Sequence, residues 1–326
     1  MTNDLRISVV IPTYNGFERL KATINSVLQQ TVPAAEILVI DDGSTDDSTQ
    51  FQACFSRHIR YLKIANSGQQ NARNHGVAQS TGDWIALLDH DDLWEPRYLA
   101  EVNAIVAAHA VDITICNSRT WQEDQGGGFW KDSNRFTQFA PDDYWRIVGA
   151  SPDDRWSSLS RYDFASYLNF HPAQTSMYCI RKSLYLSLGG FDTRMRGSGA
   201  ENFEFEMRAL RAGRVGLIWD PLVTMCRHDM NASLDGNRMT MDFVACLEFA
   251  LHHHGLNAGE RAIVQSVLHK RLPNAIDGAF TLGKYADIRR YRRQYRGRLP
   301  FRTALKSAIS ELPEALARRV AGIFQE

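Results

Sequence analysis

Ile7–Gly16 reads ISVVIPTYNG, a short run rich in β-branched residues, closed by Pro12 and followed by a small polar turn. A run of this kind predicts a strand buried on both faces, here over Ile7–Ile11, with Pro12 ending it. Beyond Asn15-Gly16, the apolar residues Phe17, Leu20, Ile24, Val27 and Leu28 share one helical face until Val32-Pro33 stops the helix. The same unit then repeats. Glu36–Ile40 (EILVI) is a second strand, and Ser44 or Thr45 can cap a helix running towards Phe55. Ile59–Ile64 is a third strand, followed by a helix over Asn71–Gln79. Trp84–Leu88 (WIALL) is a fourth, and Glu95-Pro96 opens a helix with Leu99, Val102 and Val106 on one side. Val111–Cys116 is the fifth strand. Alternation this regular predicts an α/β fold: a mainly parallel sheet with right-handed crossovers and helices on both faces.

In open sheets of this kind ligands bind beyond the carboxyl ends of the strands. The residues there are Thr13-Tyr14-Asn15, Asp41-Asp42-Gly43-Ser44, Asn66-Ser67-Gly68 and Asp89-His90-Asp91-Asp92. Any one cluster reads equally well as a solvated turn. Four at successive strand ends point to a site. Crowded carboxylates raise one another's pKa unless a cation sits among them, and hard oxygen ligands suit Mg²⁺ or Mn²⁺, which bridge carboxylates to phosphates. Neither G-x-G-x-x-G after the first strand nor G-x-x-x-x-G-K-[ST] occurs, so no glycine loop is available to hold phosphates.

The 326 residues carry 37 Lys plus Arg against 37 Asp plus Glu, and 44% are hydrophobic, which excludes a disordered or nucleic-acid-coating chain. The length suits two units, or one large unit with an appendage. Five scattered cysteines without a C-x-x-C pair read as buried thiols of a reducing compartment. No stretch approaches the ~20 apolar residues of a membrane helix, and Met1–Ile7 has no signal-peptide pattern, so a cytoplasmic location is expected.

Several segments then occur in a recognisable order: SVVIPTYN (Ser8–Asn15), EILVIDDGSTDDS (Glu36–Ser48), NSGQQNARNHGVAQSTGDWIALLDHDDLWEP (Asn66–Pro96), GGFD (Gly189–Asp192), AENFEFEMRALRAG (Ala200–Gly213) and RHDMNAS (Arg227–Ser233). Together they resemble the family 2 glycosyltransferases of bacterial surface-polysaccharide type, over roughly Ile7–Leu234. The resemblance implies the nucleotide-diphospho-sugar transferase fold known as GT-A, a Rossmann-like, mainly parallel sheet flanked by helices, here with a C-terminal helical extension. It implies a transferase domain over 1–235, with a nucleotide-sugar half (1–117) and an acceptor half (118–235), before a helical region over 236–326. It also implies an inverting, metal-dependent transfer from a nucleoside-diphosphate sugar, UDP by expectation, to a hydroxyl of a saccharide or lipid-linked saccharide.

Roles follow residue by residue. Pro12, Thr13 and Tyr14 would line the base pocket, and Asp41 would accept from the base, with Asp42 and Ser44 shaping the turn. Asn15, Asn71 and His90 fall in the same nucleotide-sugar stretches. Arg73 would approach the diphosphate or hold Asp89. Asp89 would contact the ribose or the metal, and Asp91, the second acid of the Asp-x-Asp signature, would ligate Mn²⁺ or Mg²⁺. Asp92 would ligate or cap the next helix. His228 would reach the diphosphate or complete the metal shell. The family's usual Glu-Asp after GGFD is Glu201-Asn202 here, and an amide cannot take a proton at neutral pH. Glu201 is then the first candidate base and Glu204, one turn on, the second.

Between Ser118 and Pro172 the pattern turns irregular, with Trp130, Tyr144, Trp145, Trp156 and Tyr162 among polar residues. Aromatic rings beside carboxylates suit a sugar, so Trp130 and Trp156, joined by Asn202, are the acceptor candidates. From Met241 onward the chain reads as helical. Lys284, Arg289, Arg290, Arg292, Arg293, Arg296 and Arg298 stand there against Asp287 alone, with tyrosines interleaved. That stretch reads either as a peripheral contact with anionic lipid at the inner face of a membrane, or as a solvated face or self-association contact. Nucleic acid is not expected, since no recognition motif accompanies the charge. Two other activities compete: a non-catalytic nucleotide-sugar-binding module, and a sugar nucleotidyltransferase, which would need a glycine-rich basic loop after the first strand.

Overall fold

The computed structural model describes residues 5–46, 59–123, 127–138, 140–195, 199–228 and 235–323. The expected helix towards Phe55, and the Asp229–Ser233 end of the last motif, lie outside the described residues. Two compact units form: Met1–Arg196 with Glu204–Asp229, and Gly197–Phe203 with Met230–Glu326.

In the first unit, β1 (Ile7–Thr13) is wholly buried and lies between β2 (Glu36–Asp41) and β4 (Trp84–Leu87), parallel to both; β3 (Arg60–Lys63) extends the parallel set beyond β2. Pro12 does not end β1. Pairing with β4 stops at Val10, so Pro12 lies past that ladder, and β1 continues along β2 to Thr13 opposite Asp41. The first two loops therefore leave the sheet level with one another. Helix α1 (Phe17–Leu28) buries Leu20, Thr23, Ile24 and Val27, the expected stripe, with Leu28 left outside. Helix α2 (Gln69–Gln79) crosses the strands so closely that a Cβ on Gly76 would stand 2.4 Å from Val10 Cγ1. Only glycine permits that approach.

Beyond β4 the series changes. A two-residue strand, β5 (Leu93–Trp94), precedes α3 (Tyr98–Ala108), which therefore begins two residues after Pro96. The fifth expected strand is β6 (Ile113–Gln122), longer than predicted and not a neighbour of β4. Between them runs β9 (Tyr178–Arg181), antiparallel to both. The remaining strands are β7 (Phe129–Asn134), β8 (Trp156–Leu159) and β10 (Val215–Arg227), which is parallel to β6 and carries the chain to the rim. The ten-stranded sheet has the order β3-β2-β1-β4-β9-β6-β10-β5, with β7 on β6 and β8 on β10. The stretch 118–172, read as irregular, holds β7, β8 and short helices. Tyr144, Trp145 and Tyr162 are buried in it, the two tyrosine hydroxyls 2.8 Å apart and Trp145 against Phe136 and Trp219.

The second unit is helical: α5 (Gly236–His253), α6 (Ala258–Thr281), α7 (Tyr285–Gln294), α8 (Phe301–Ile309) and α9 (Glu314–Ile323), after α4 (Glu201–Ala212), whose first turn counts with this unit. Asp235 caps α5, and Asn257 with Glu260 forms a capping box on α6. Val244, Ile276, Ala279, Ile288 and Tyr291 pack as its core. Among the described residues no helix is long and apolar enough to cross a membrane.

Glu36 joins the amino ends of three strands. Its carboxylate accepts from Ser8 Oγ at 2.7 Å, Thr81 Oγ1 at 2.9 Å, Thr81 N and Arg60 at 3.0 Å. Partial burial pushes its pKa up, but these donors outweigh burial and hold it down at about 2. A carboxyl held below its unfolded value stabilises the fold above about pH 4.3 and loses that contribution as pH falls towards 2. Glu36→Gln should therefore lower unfolding free energy at neutral pH, and urea titrations should show the gap to the parent closing between about pH 4 and 2.

Candidate active site

The rim at the carboxyl ends of the parallel strands is built from loops that fasten one another. Asn15, at φ 49°, receives Ser44 Oγ on its backbone N–H at 2.9 Å, and its side chain accepts from Thr45 N at 2.8 Å. Asn tolerates this left-handed backbone where most residues do not. Pro12 and Thr13 lie within β1; Thr13 is buried, its hydroxyl without a protein partner among the described residues. Tyr14 stands half-exposed beside them.

The two acids after β2 differ. Asp41 is fully buried, with one oxygen taken by Ser44 N at 2.7 Å and the other by the Tyr61 hydroxyl, near Lys63 at 3.7 Å. Burial and the Asp41 charge both push the Tyr61 hydroxyl pKa well up, so it stays a donor. Asp42 points the other way. It accepts from Ser67 N at 2.7 Å and Gly68 N at 2.8 Å, holding the amino end of α2, where a negative charge is favourable. Asn71 then closes that turn on Ser67 O at 2.9 Å.

The turn after β4 gathers three carboxylates, each with a partner from a different element. Arg73, buried on α2 with its guanidinium over the Phe191 ring, donates to Asp89 Oδ1 at 2.6 Å. Asp91 Oδ2 meets His228 Nε2 at 2.9 Å, delivered by the carboxyl end of β10. Asp92 turns inward: it neither caps α3 nor stands in the open, because Ser176 Oγ at 2.6 Å and Cys226 N at 3.1 Å bind its carboxylate. Burial, then the charges of Asp91 and Asp89, hold its pKa well above the usual carboxylate range. His90 lies with its ring against Gly16, where a Cβ would come within 2.3 Å.

Ser176 was not legible as a site residue. Because β9 runs antiparallel, its start lies where β4 ends, and the turn Thr175–Met177 places Ser176 under the acidic loop. There its hydroxyl donates to Asp92 and accepts from Asp89 N at 3.1 Å. The only sequence signal is a small hydroxyl residue two positions before a strand.

The acceptor candidates separate. Trp130 on β7 is half-exposed, edge-on to Trp121 and under the Arg119 guanidinium at 4.3 Å, on the half of β6 that ends at the rim. Trp156 is not brought there. It pairs with Ile218 in the first half of β10 and donates to Glu101 on α3 at 3.1 Å. Of the two base candidates, Glu204 is buried and held at both oxygens by Arg208, each at 2.6 Å. Glu201 and Asn202 fall in the second unit, whose α5 secures this segment: Gly199 N donates to Asp242 at 2.7 Å, and Phe203 packs on Phe243 at 4.7 Å.

Among the described residues, no group of three or more His, Cys, Asp or Glu side chains forms a metal cage. Asp91 and His228 supply two adjoining donors. That suits Mg²⁺ or Mn²⁺, which keep waters and take substrate phosphate oxygens rather than needing an all-protein shell.

Residues 8–168 match the family model described as glycosyl transferase family 2. The glycosyltransferase YibD of Escherichia coli (strain K12), itself uncharacterized, is 31% identical over 48% of this chain and 44% of its own. The glycosyltransferase GlyA of Streptococcus pneumoniae serotype 4 is 32% identical over 39% of this chain and 18% of its own. The chain thus spans less than half the length of these relatives. Among solved structures, S. aureus TarS 1-349 in complex with UDP superposes with TM-score 0.59 at 17% identity, over 98% of this chain and 91% of that one. The same fragment in complex with UDP-GlcNAc gives 0.60 at 16%, over 97% and 91%. The fold is therefore GT-A.

Removing the Ser176 hydroxyl strips a donor from buried Asp92 and an acceptor from Asp89 N. Ser176→Ala should cost about 1–3 kcal/mol in urea unfolding at neutral pH; an unchanged midpoint would mean that the acidic turn is held by other contacts.

Proposed function

Taking as premise that residues 8–168, within the first unit, belong to glycosyl transferase family 2, we propose that the protein is an inverting glycosyltransferase. It moves a sugar from a UDP-sugar to a saccharide or lipid-linked saccharide hydroxyl in cell-surface polysaccharide assembly. The observation that carries this reading is the Asp91–His228 contact at the rim, beside the Arg73–Asp89 pair. The TarS complexes with UDP and UDP-GlcNAc support UDP as the nucleotide and make N-acetylglucosamine the first sugar to try.

In this mechanism the exposed Tyr14 ring stacks on the base, and the loops fastened through Asn15, Asp41, Asp42 and Ser44 hold the pocket's shape. Arg73 fixes Asp89 for the ribose or the metal. Asp91 and His228 would hold Mn²⁺ or Mg²⁺, whose contribution when bound is to neutralise charge on the diphosphate. Glu201 takes the proton of the acceptor hydroxyl as its oxygen bonds to the anomeric carbon; the bond to the diphosphate breaks, and its electron pair leaves with UDP. Glu201 is preferred to Glu204 because the Arg208 guanidinium engages both Glu204 oxygens in an internal pair. Trp130 offers the acceptor ring an apolar face.

UDP release from UDP-GlcNAc with Mn²⁺, followed with and without saccharide acceptors, tests this. Glu201→Gln should lower turnover by about 10²-fold or more with UDP affinity unchanged. Near-parental turnover would move the base elsewhere, and UDP-sugar binding without turnover by the parent across donor sugars would favour a non-catalytic binding module.

A further inference from the structure

Helix α8 leaves one apolar edge uncovered. Its inward face buries Thr303, Ser307 and Ile309, and Thr303 Oγ1 donates to Asp277 on α6 at 2.9 Å, beside Lys306 Nζ at 2.8 Å. Its outward face shows Phe301, 82% exposed, with Ala304 and Ala308 at the i+3 and i+7 positions that continue one stripe. Contacts to Asp277, with Ile309 and Leu305 packed on the helical core, thus hold α8 with an apolar edge turned to solvent. One exposed phenylalanine on a surface needs no explanation; a stripe fixed outward by the packing and hydrogen bonds of its own helix does.

The surroundings say what would cover it. Arg292 and Arg298 line a groove with Leu299, Phe301, Ala304 and Ala308, against the single acid Glu311. Arg292, Arg293, Arg296, Arg298 and Arg302 are all exposed, and among the described residues none of the five makes an ion pair. The other arginines of this stretch are used internally: Arg290 pairs with Glu248 and Asp287, and Arg289 donates to Ser310 O.

We propose that the α8 edge of the helical unit, Phe301–Ala304–Ala308 with the arginines around it, docks on an anionic phospholipid surface. An apolar stripe flanked by cations is what lies in a headgroup layer, rings below and guanidinium groups among the phosphates. A nucleic-acid backbone would engage the arginines and leave the stripe without a role. A second copy related by a two-fold axis would set this cationic surface against its own counterpart.

The test is sedimentation of the full chain with vesicles of phosphatidylcholine alone or mixed with phosphatidylglycerol, at low and high salt. The expected result is binding to the mixed vesicles only, weakening with salt over the range where the Debye length shortens. Phe301→Ser should weaken it at both salt concentrations. Arg298→Glu with Arg302→Glu should reduce it roughly tenfold or more, since each cation near such a surface is worth about fivefold. Thermal melting checks that each variant is folded, and the arginine variant, altered only at exposed positions, decides the matter if Phe301→Ser unfolds. No sedimentation with mixed vesicles at low salt, or an unaffected folded arginine variant, overturns the proposal. So does a dimer seen by light scattering and lost in Phe301→Ser, or RNA retention, where neither is accompanied by vesicle binding.

Discussion

Three carboxylates in four residues repel one another, and the first unit is organised around relieving that repulsion at Asp89, Asp91 and Asp92. Each is answered from a different part of the chain: by the buried Arg73 of α2, by His228 past β10, and by Ser176 with the Cys226 backbone. Removing one partner would strand a partly buried charge, a far larger cost than the net worth of the pair itself. The compensation is uneven, however. Asp92 is buried within the protein and Asp89 is held by Arg73 with its carboxylate partly open, whereas Asp91 meets an imidazole, a side chain that readily ligates a metal. The metal role proposed above therefore rests on the Asp91–His228 pair, with Asp89 open beside it.

That arrangement explains why the sheet departs from simple alternation. A purely parallel series would put β6 beside β4, and nothing from the second half of the sheet would start at the rim. Inserting β9 antiparallel brings an amino end there, and with it Ser176. The long β10 does the complementary work, running parallel to β6 until Arg227 lies opposite Gln122 and His228 emerges.

Much of the parallel half was legible because β-branched runs and helical stripes are local patterns. Pro12 misled because proline's effect in a strand depends on whether a neighbour is present on that side, which is a tertiary fact. The insertion of β9 was illegible for the same reason: Tyr178–Arg181 carries no mark of its partners. Site residues divided likewise. Asp91 and His228, far apart in sequence, come together; Asp42 is spent on capping α2 instead of facing the rim; Trp156 lies along α3. Asn202 and Glu201 were read as part of the transferase domain, yet their segment packs with α5 through Asp242 and Phe243. The helical unit consequently has a structural stake in the proposed base, and its outward-facing α8 stripe is a separate feature that no motif announced.

The central claim, that Asp91 and His228 hold a divalent ion which in turn holds a nucleoside diphosphate, is tested most directly by calorimetric titration of UDP with and without Mn²⁺. The account predicts tighter binding with Mn²⁺ in the parent, and loss of that metal-dependent gain in Asp91→Asn while the weaker metal-free binding persists. Equal UDP affinity with and without Mn²⁺, or a metal-dependent gain that survives Asp91→Asn, would contradict it.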